Sequence, residues 1–250
     1  SDFTRRHRGV TTQDGVSVHV YVGKDGRVYA AVEESYENNV YTARPFLTLP
    51  QTANAEDCGV SVFRELFGCS EGLAVSYTGG VQNVCYGQCW DFFSFAADGT
   101  PTRLASIWGN AFFVTDLDGD GTNELVSDGS DLLYLQRDGV IYRAEIEALL
   151  TPYLDSLVEA SASFDEAARC LRVFGWRDGK LCAFYVHYAG DRLLVWQGPE
   201  RQLSEQIAAD EGTPEALIAL ARQRGEAAAQ SVLRVQEGPY SPAIWMDGRS

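Results

Sequence analysis

Basic residues are scarce in this chain: 20 Lys and Arg stand against 35 Asp and Glu in 250 residues, a formal charge of −15. Nucleic acids and anionic membrane surfaces would be repelled by such a chain, so neither is expected as a partner. No unbroken apolar run reaches the ~18 residues of a membrane-spanning helix, so the sequence implies no membrane insertion. Histidine occurs three times, at His7, His19 and His187. That leaves little imidazole for zinc ligation or general-base chemistry. The single methionine is Met246, and the chain begins at Ser1. A removed export signal would leave such a start, as would trimming. The six cysteines are Cys58, Cys69, Cys85, Cys89, Cys170 and Cys182. They are too sparse for a disulfide scaffold, and Cys85-x-x-x-Cys89 has no second pair at zinc spacing. They read as buried free thiols acting as small hydrophobes.

Acidic residues are abundant, and in one place they are patterned. Asp116-Leu117-Asp118-Gly119-Asp120-Gly121-Thr122-Asn123-Glu124-Leu125 sets carboxylates at loop positions 1, 3, 5 and 9, with glycine at position 6 for a sharp turn. Four acids so close repel one another unless a cation neutralises them. Calcium, a hard ion with about 6–8 oxygen ligands, suits this donor set. An EF-hand would need a glutamate at position 12 and flanking helices; here position 12 is Ser127. The flanks Ala111–Val114 and Leu132–Leu135 read as strands. The pattern D-x-D-x-D-G-x-x-[DE]-L between strands resembles the FG-GAP/VCBS repeat of integrin-type β-propeller blades, over about one repeat, Ala111 to Ala144. The resemblance implies calcium held by the side chains of Asp116, Asp118, Asp120 and Glu124 and by the Thr122 carbonyl. Glu124 stands where that family more often has Asp. Modest-affinity sites of this kind suit a calcium-rich extracellular or cell-surface location.

Asp-Gly pairs recur after apolar runs: Asp25-Gly26, Asp98-Gly99, Asp138-Gly139 and Asp178-Gly179. Each reads as a hairpin, because a type I′ turn needs positive φ at both central residues. The last three stand 40 residues apart. Such a period, with several short strands in each unit, is the sequence pattern of propeller blades. The expected fold is therefore mainly β: antiparallel meanders, propeller-like, in a domain over residues 1–200. A few short helices are expected at Ser61–Phe67, at Ala144–Leu150 and from Pro214 to about Gln223, where Thr213-Pro214-Glu215 carries a helix-start signal. Residues 201–250 read as a helical appendage and tail. The basic stretch Arg5-Arg6-His7-Arg8 reads as a mobile terminus.

No catalytic residue is assigned. Tyr86-Gly87-Gln88-Cys89-Trp90, followed by Phe92, is similar to the nucleophile motif of transglutaminases, which implies Cys89 as nucleophile and an imidazole such as His187 as its activator. That family sets the cysteine at a helix start, where the dipole lowers its pKa. Here Asp91–Phe95 runs directly into an Asp-Gly turn, so Cys89 reads as a half-buried strand residue. No spacing singles out a glycosidase-type carboxylate pair. Trp176 and Trp196, on expected strands, read as core. The leading functional expectation is an exported, calcium-stabilised module that binds a protein or carbohydrate. The alternative is a secreted hydrolase of polysaccharide or cell-wall material with purely structural calcium.

Overall fold

The computed structural model describes residues 2–78, 88–109, 111–116, 121–128, 132–145, 154–158, 163–165, 170–189, 192–198, 234–235 and 244–245. Among them every regular element is a strand, and the strands form four antiparallel sheets. The first sheet is a meander of β1 (Phe3–Thr11), β2 (Ser17–Gly23), β3 (Val28–Glu37) and β4 (Val40–Thr48). The second follows as β5 (Gly59–Leu66), β6 (Cys69–Thr78), β7 (Gln88–Phe95) and β8 (Pro101–Gly109). The third contains β9 (Ala111–Thr115), β10 (Glu124–Asp128), β11 (Leu132–Arg137) and β12 (Val140–Glu145). In the fourth, the short strands β13 (Ser156–Leu157) and β14 (Ser163–Asp165) both pair with β15 (Cys170–Arg177), and β16 (Lys180–Ala189) and β17 (Arg192–Gly198) continue the meander. Late in the chain, β18 (Arg234–Val235) adds to β12 and β19 (Ile244–Trp245) adds to β4.

Two compact units result, one of Ser1–Asn110 with Glu237–Ser250 and one of Ala111–Gln236. In the first unit, alternation decides the inner face. Val18, Val20, Val28, Ala30 and Val32 of the first sheet join Leu73, Val75, Tyr77, Cys89 and Phe93 of the second in one buried cluster. Phe46 meets Phe93 edge-on at 5.0 Å and Phe95 at 5.3 Å. Each such side chain removed from water stabilises the unit by about 1.5–3 kcal/mol. In the second unit, Leu125 and Val126 on β10, Leu133 to Leu135 on β11, and Leu171 and Val173 on β15 are buried.

All four Asp-Gly pairs are hairpin turns, in two chemistries. Asp138-Gly139 (φ +50° and +77°) and Asp178-Gly179 (φ +50° and +70°) have the expected positive φ at both positions, in two-residue loops. In the other two only the glycine is left-handed, Gly26 at +78° and Gly99 at +76°. There the Gly26 N–H bonds the Gly23 carbonyl at 3.0 Å, the Gly99 N–H bonds that of Ala96 at 2.8 Å, and a glycine bulge closes each turn. The aspartate carboxylate accepts the N–H two residues on in both, from Arg27 at 3.0 Å and Thr100 at 2.9 Å. Asn38-Asn39 and Phe67-Gly68, also at positive φ, close two further hairpins.

The equal spacing marks equivalent places for two of its three turns and not for the third. Asp98-Gly99 and Asp138-Gly139 join the third and fourth strands of their sheets. Asp25-Gly26 and Asp178-Gly179 join the second and third, with β13 and β14 counted as one split first strand. Turn chemistry is local, and differing strand and loop lengths shift where it falls; the recurring unit is the four-stranded meander. Ser61–Phe67 is not a helix: the β-branched Val60 and Val62 pair with Val75 and Leu73, and the left-handed Phe67-Gly68 turn folds β5 back on β6. Ala144 ends in β12 rather than starting a helix, and the rest of that expectation, residues 146–150, lies outside the described residues. The expected Pro214–Gln223 helix lies outside them too. The Arg5–Arg8 stretch belongs to β1, anchored by ion pairs from Arg5 to Glu56 and from Arg6 to Glu33, and is not a loose terminus.

Candidate functional site

The loop Asp116–Asn123 is the connection of a hairpin, in which Glu124 of β10 pairs with Thr115 of β9. Both flanks are strands, as the sequence implies and as an EF-hand would forbid. Gly121, at loop position 6, has φ +90°, and its N–H donates to Asp116 Oδ2 at 3.1 Å. Glu124 is buried, and Thr122 and Asn123 are half-buried. Asp118 and Asp120 lie outside the described residues. Among the described residues, no three His, Cys, Asp or Glu gather at metal-binding distance. The described candidate donors, on Asp116, Thr122 and Glu124, are oxygens, the atoms a hard cation takes.

Cys89 sits in β7, opposite Tyr77 on β6, and is 1 % exposed. Burial first, and the Asp91 charge second, push its thiol up to about 12. That is the reverse of an activated nucleophile. No helix begins there, and the strand reading holds. Cys58, also buried, is likewise pushed up to about 12, mainly by burial. Cys58, Cys69, Cys89 and Cys182 are free thiols. His187, the imidazole named with Cys89 above, belongs to β16 in the other compact unit. Beside Cys89 lies a feature that the sequence did not disclose. Asp91 is fully buried, and its carboxylate accepts from Tyr77 Oη at 2.7 Å, Arg103 Nη2 at 2.6 Å and Ser106 Oγ. Buried among apolar neighbours and saturated with donors, this carboxylate holds three strands together.

On the outer face of the first sheet, His19, Tyr21 and Glu33 alternate with the inward valines, as the strand period requires. Glu33 Oε2 accepts from Arg6 Nη1 and from Tyr21 Oη, both at 2.7 Å. His19 Nδ1 stands 3.8 Å from the same oxygen, beyond hydrogen-bond reach. Gly9 on β1 has no Cβ, and one placed there would collide with the His19 ring. Phe3 and Tyr41 pack on the Tyr21 ring at 4.8 and 5.1 Å, and the Arg6 guanidinium lies 4.8 Å over Tyr36. Burial alone would raise the Glu33 carboxyl, but the Tyr21 and Arg6 hydrogen bonds outweigh it and hold it low. Burial lowers His19, assisted by Arg6 and opposed by Glu33. The available signal was the set of tyrosines at 21, 29, 36 and 41 interleaved with valines. Trp176, expected in the core, is 45 % exposed beside the Asp178-Gly179 turn. The side chain of Trp196 lies outside the described set.

Compared with known proteins, the chain matches no family model. No curated protein and no solved structure matches it either. Its function must be argued from its own residues.

Proposed function

We propose that this chain is an exported, calcium-stabilised β-repeat module whose role is binding a protein or carbohydrate rather than catalysis. The side chains of Asp116, Asp118, Asp120 and Glu124 and the Thr122 carbonyl hold the ion. In this reading the four meanders are blade-like repeats of FG-GAP/VCBS type, propeller-like in kind. One observation carries it: an acidic loop between two strands, with Asp116 bound to the N–H of a left-handed Gly121 and the last acid buried at the start of β10. A bound cation would neutralise the four carboxylates and tie the two strands of the hairpin.

Calorimetric titration of calcium into metal-free protein tests this. One ion should bind per chain, and the paired substitutions Asp118→Asn and Asp120→Asn should abolish binding without unfolding the protein. Unchanged binding in that variant would remove the loop from the proposal.

A further inference from the structure

We infer that a groove on the outer face of the first sheet is a binding site for a neutral oligosaccharide. The inference rests on the binding-module reading and names its ligand class. The groove has a volume of about 620 Å³ and draws its lining from β1, β2, β3, β4 and the turn between β2 and β3. That size falls within the range of about 300–1,000 Å³ that small-molecule sites occupy.

Its aromatic wall is pre-set. The Tyr29 hydroxyl donates to Asp25 Oδ2 at 2.6 Å, and Phe3 meets the Tyr29 ring edge-on at 5.9 Å. Gly23 makes room beneath: a Cβ there would come within 2.5 Å of Asp25 Oδ1 and 2.8 Å of the Tyr29 ring. A tyrosine held from three sides loses little freedom when a ligand stacks on it. The polar rim carries two acids, Asp2 and Asp25, and two bases, Lys24 and Arg27. Arg27, half-buried, lines the groove, and its Nε has no hydrogen-bond partner among the described residues.

Charge and geometry select the ligand. A rim balanced in sign, on a chain of charge −15, gives no net attraction to an anion. A hydroxyl both donates and accepts, so a polyol can satisfy carboxylate and guanidinium together. A pyranose adds an apolar C–H face for the aromatic wall. The groove crosses four strands on the sheet face, so a peptide lying in it would find no strand edge to extend.

The test is calorimetric titration of the full chain with cellohexaose, xylohexaose, mannohexaose, maltohexaose and N-acetylated chitohexaose, with hexagalacturonate as the anionic comparison. At least one neutral hexasaccharide should bind, and more tightly than hexagalacturonate. Tyr29→Ala should weaken that binding about tenfold or more, the loss of one stacking contact. Arg27→Gln and the exposed Lys24→Ala should each weaken it about threefold, and they decide the matter if Tyr29→Ala does not fold. Binding of none of the neutral sugars, preference for hexagalacturonate, or wild-type affinity in folded variants would overturn the inference. Each titration is repeated with calcium and with chelator. Sugar binding without a calcium-linked change in melting removes the calcium reading alone. A calcium-linked change without sugar binding removes this site alone.

Discussion

Asp91 shows how a charge is tolerated in the middle of an apolar unit. Its carboxylate on β7 has donors from the strands on both sides, and Arg103, nearly as deep, balances the charge. Breaking such a pair leaves a buried guanidinium uncompensated, so Asp91→Asn should destabilise the protein by about 3–5 kcal/mol. Tyr77→Phe, which removes one hydrogen bond to the acid, should cost about 1–3 kcal/mol. Urea unfolding of the two variants would check the order, and wild-type midpoints in both would show that the network is not stabilising. His19 gives a pH dependence whose sign can be worked out. Its folded pKa lies below the ordinary 6.5, so the folded protein binds fewer protons than the unfolded chain. The stabilisation is complete above about 6.5 and is lost as pH falls from there toward the folded value. Glu33, also lowered from its ordinary 4.5, adds stability above that value which is lost further into acid. The melting temperature should therefore fall between pH 7 and 5, and His19→Gln should flatten that slope, leaving the part that belongs to His7, also lowered by burial. An unchanged slope would remove His19 from the account.

Among the elements, the hairpins separate local strain from crowding. A Cβ at Gly139 or Gly179 would meet nothing within 4 Å, yet both residues are left-handed. Alanine at either should cost about 1–2 kcal/mol from backbone conformation alone. At Gly72 the backbone is ordinary, but a Cβ would strike the Phe63 ring and the Phe93 carbonyl, so Gly72→Ala should cost more than either turn variant. Thermal melting of the three would rank them; a milder Gly72 variant would show that the second sheet yields. The same contrast explains what could be read beforehand. Asp-Gly turns and alternating valines announce themselves over five or six residues, so the hairpins, the strand flanks of the acidic loop and the placement of Cys89 were legible. The Asn38-Asn39 turn lacks glycine and escaped notice. Within Ser61–Phe67 the strand alternation is weak, since the buried apolar residues Phe63 and Leu66 sit three apart, as on a helix. The Asp91 network and the aromatic groove join residues from different strands. Their partners are set by register, and no short window of sequence carries that information.

At the scale of the molecule, the acidic loop lies in the unit Ala111–Gln236, and the aromatic groove lies in the other. If calcium binds the folded loop alone, a roughly tenfold excess over Kd adds about 1.4 kcal/mol by mass action. Melting should then rise a few degrees with calcium and return with chelator, in whichever transition belongs to that unit. Identical traces from metal-free and calcium-loaded protein would sink the stabilising role. The division of the chain has another consequence, for the order of events as the polypeptide emerges from the ribosome. The unit that contains residues 1–110 also takes in residues 237–250, and β19 pairs with Leu47 and Thr48 of β4. At about 5–20 residues per second, roughly 10–40 seconds separate the synthesis of β4 from that of its neighbour. Throughout that interval the Leu47–Thr48 end of β4 lacks that partner, and an open sheet edge is prone to pair with another chain. Arg44 and Pro45 within β4 are residues of the kind that blunt such an edge. Among the described strands, one of the latest in chain order thus pairs with one of the earliest.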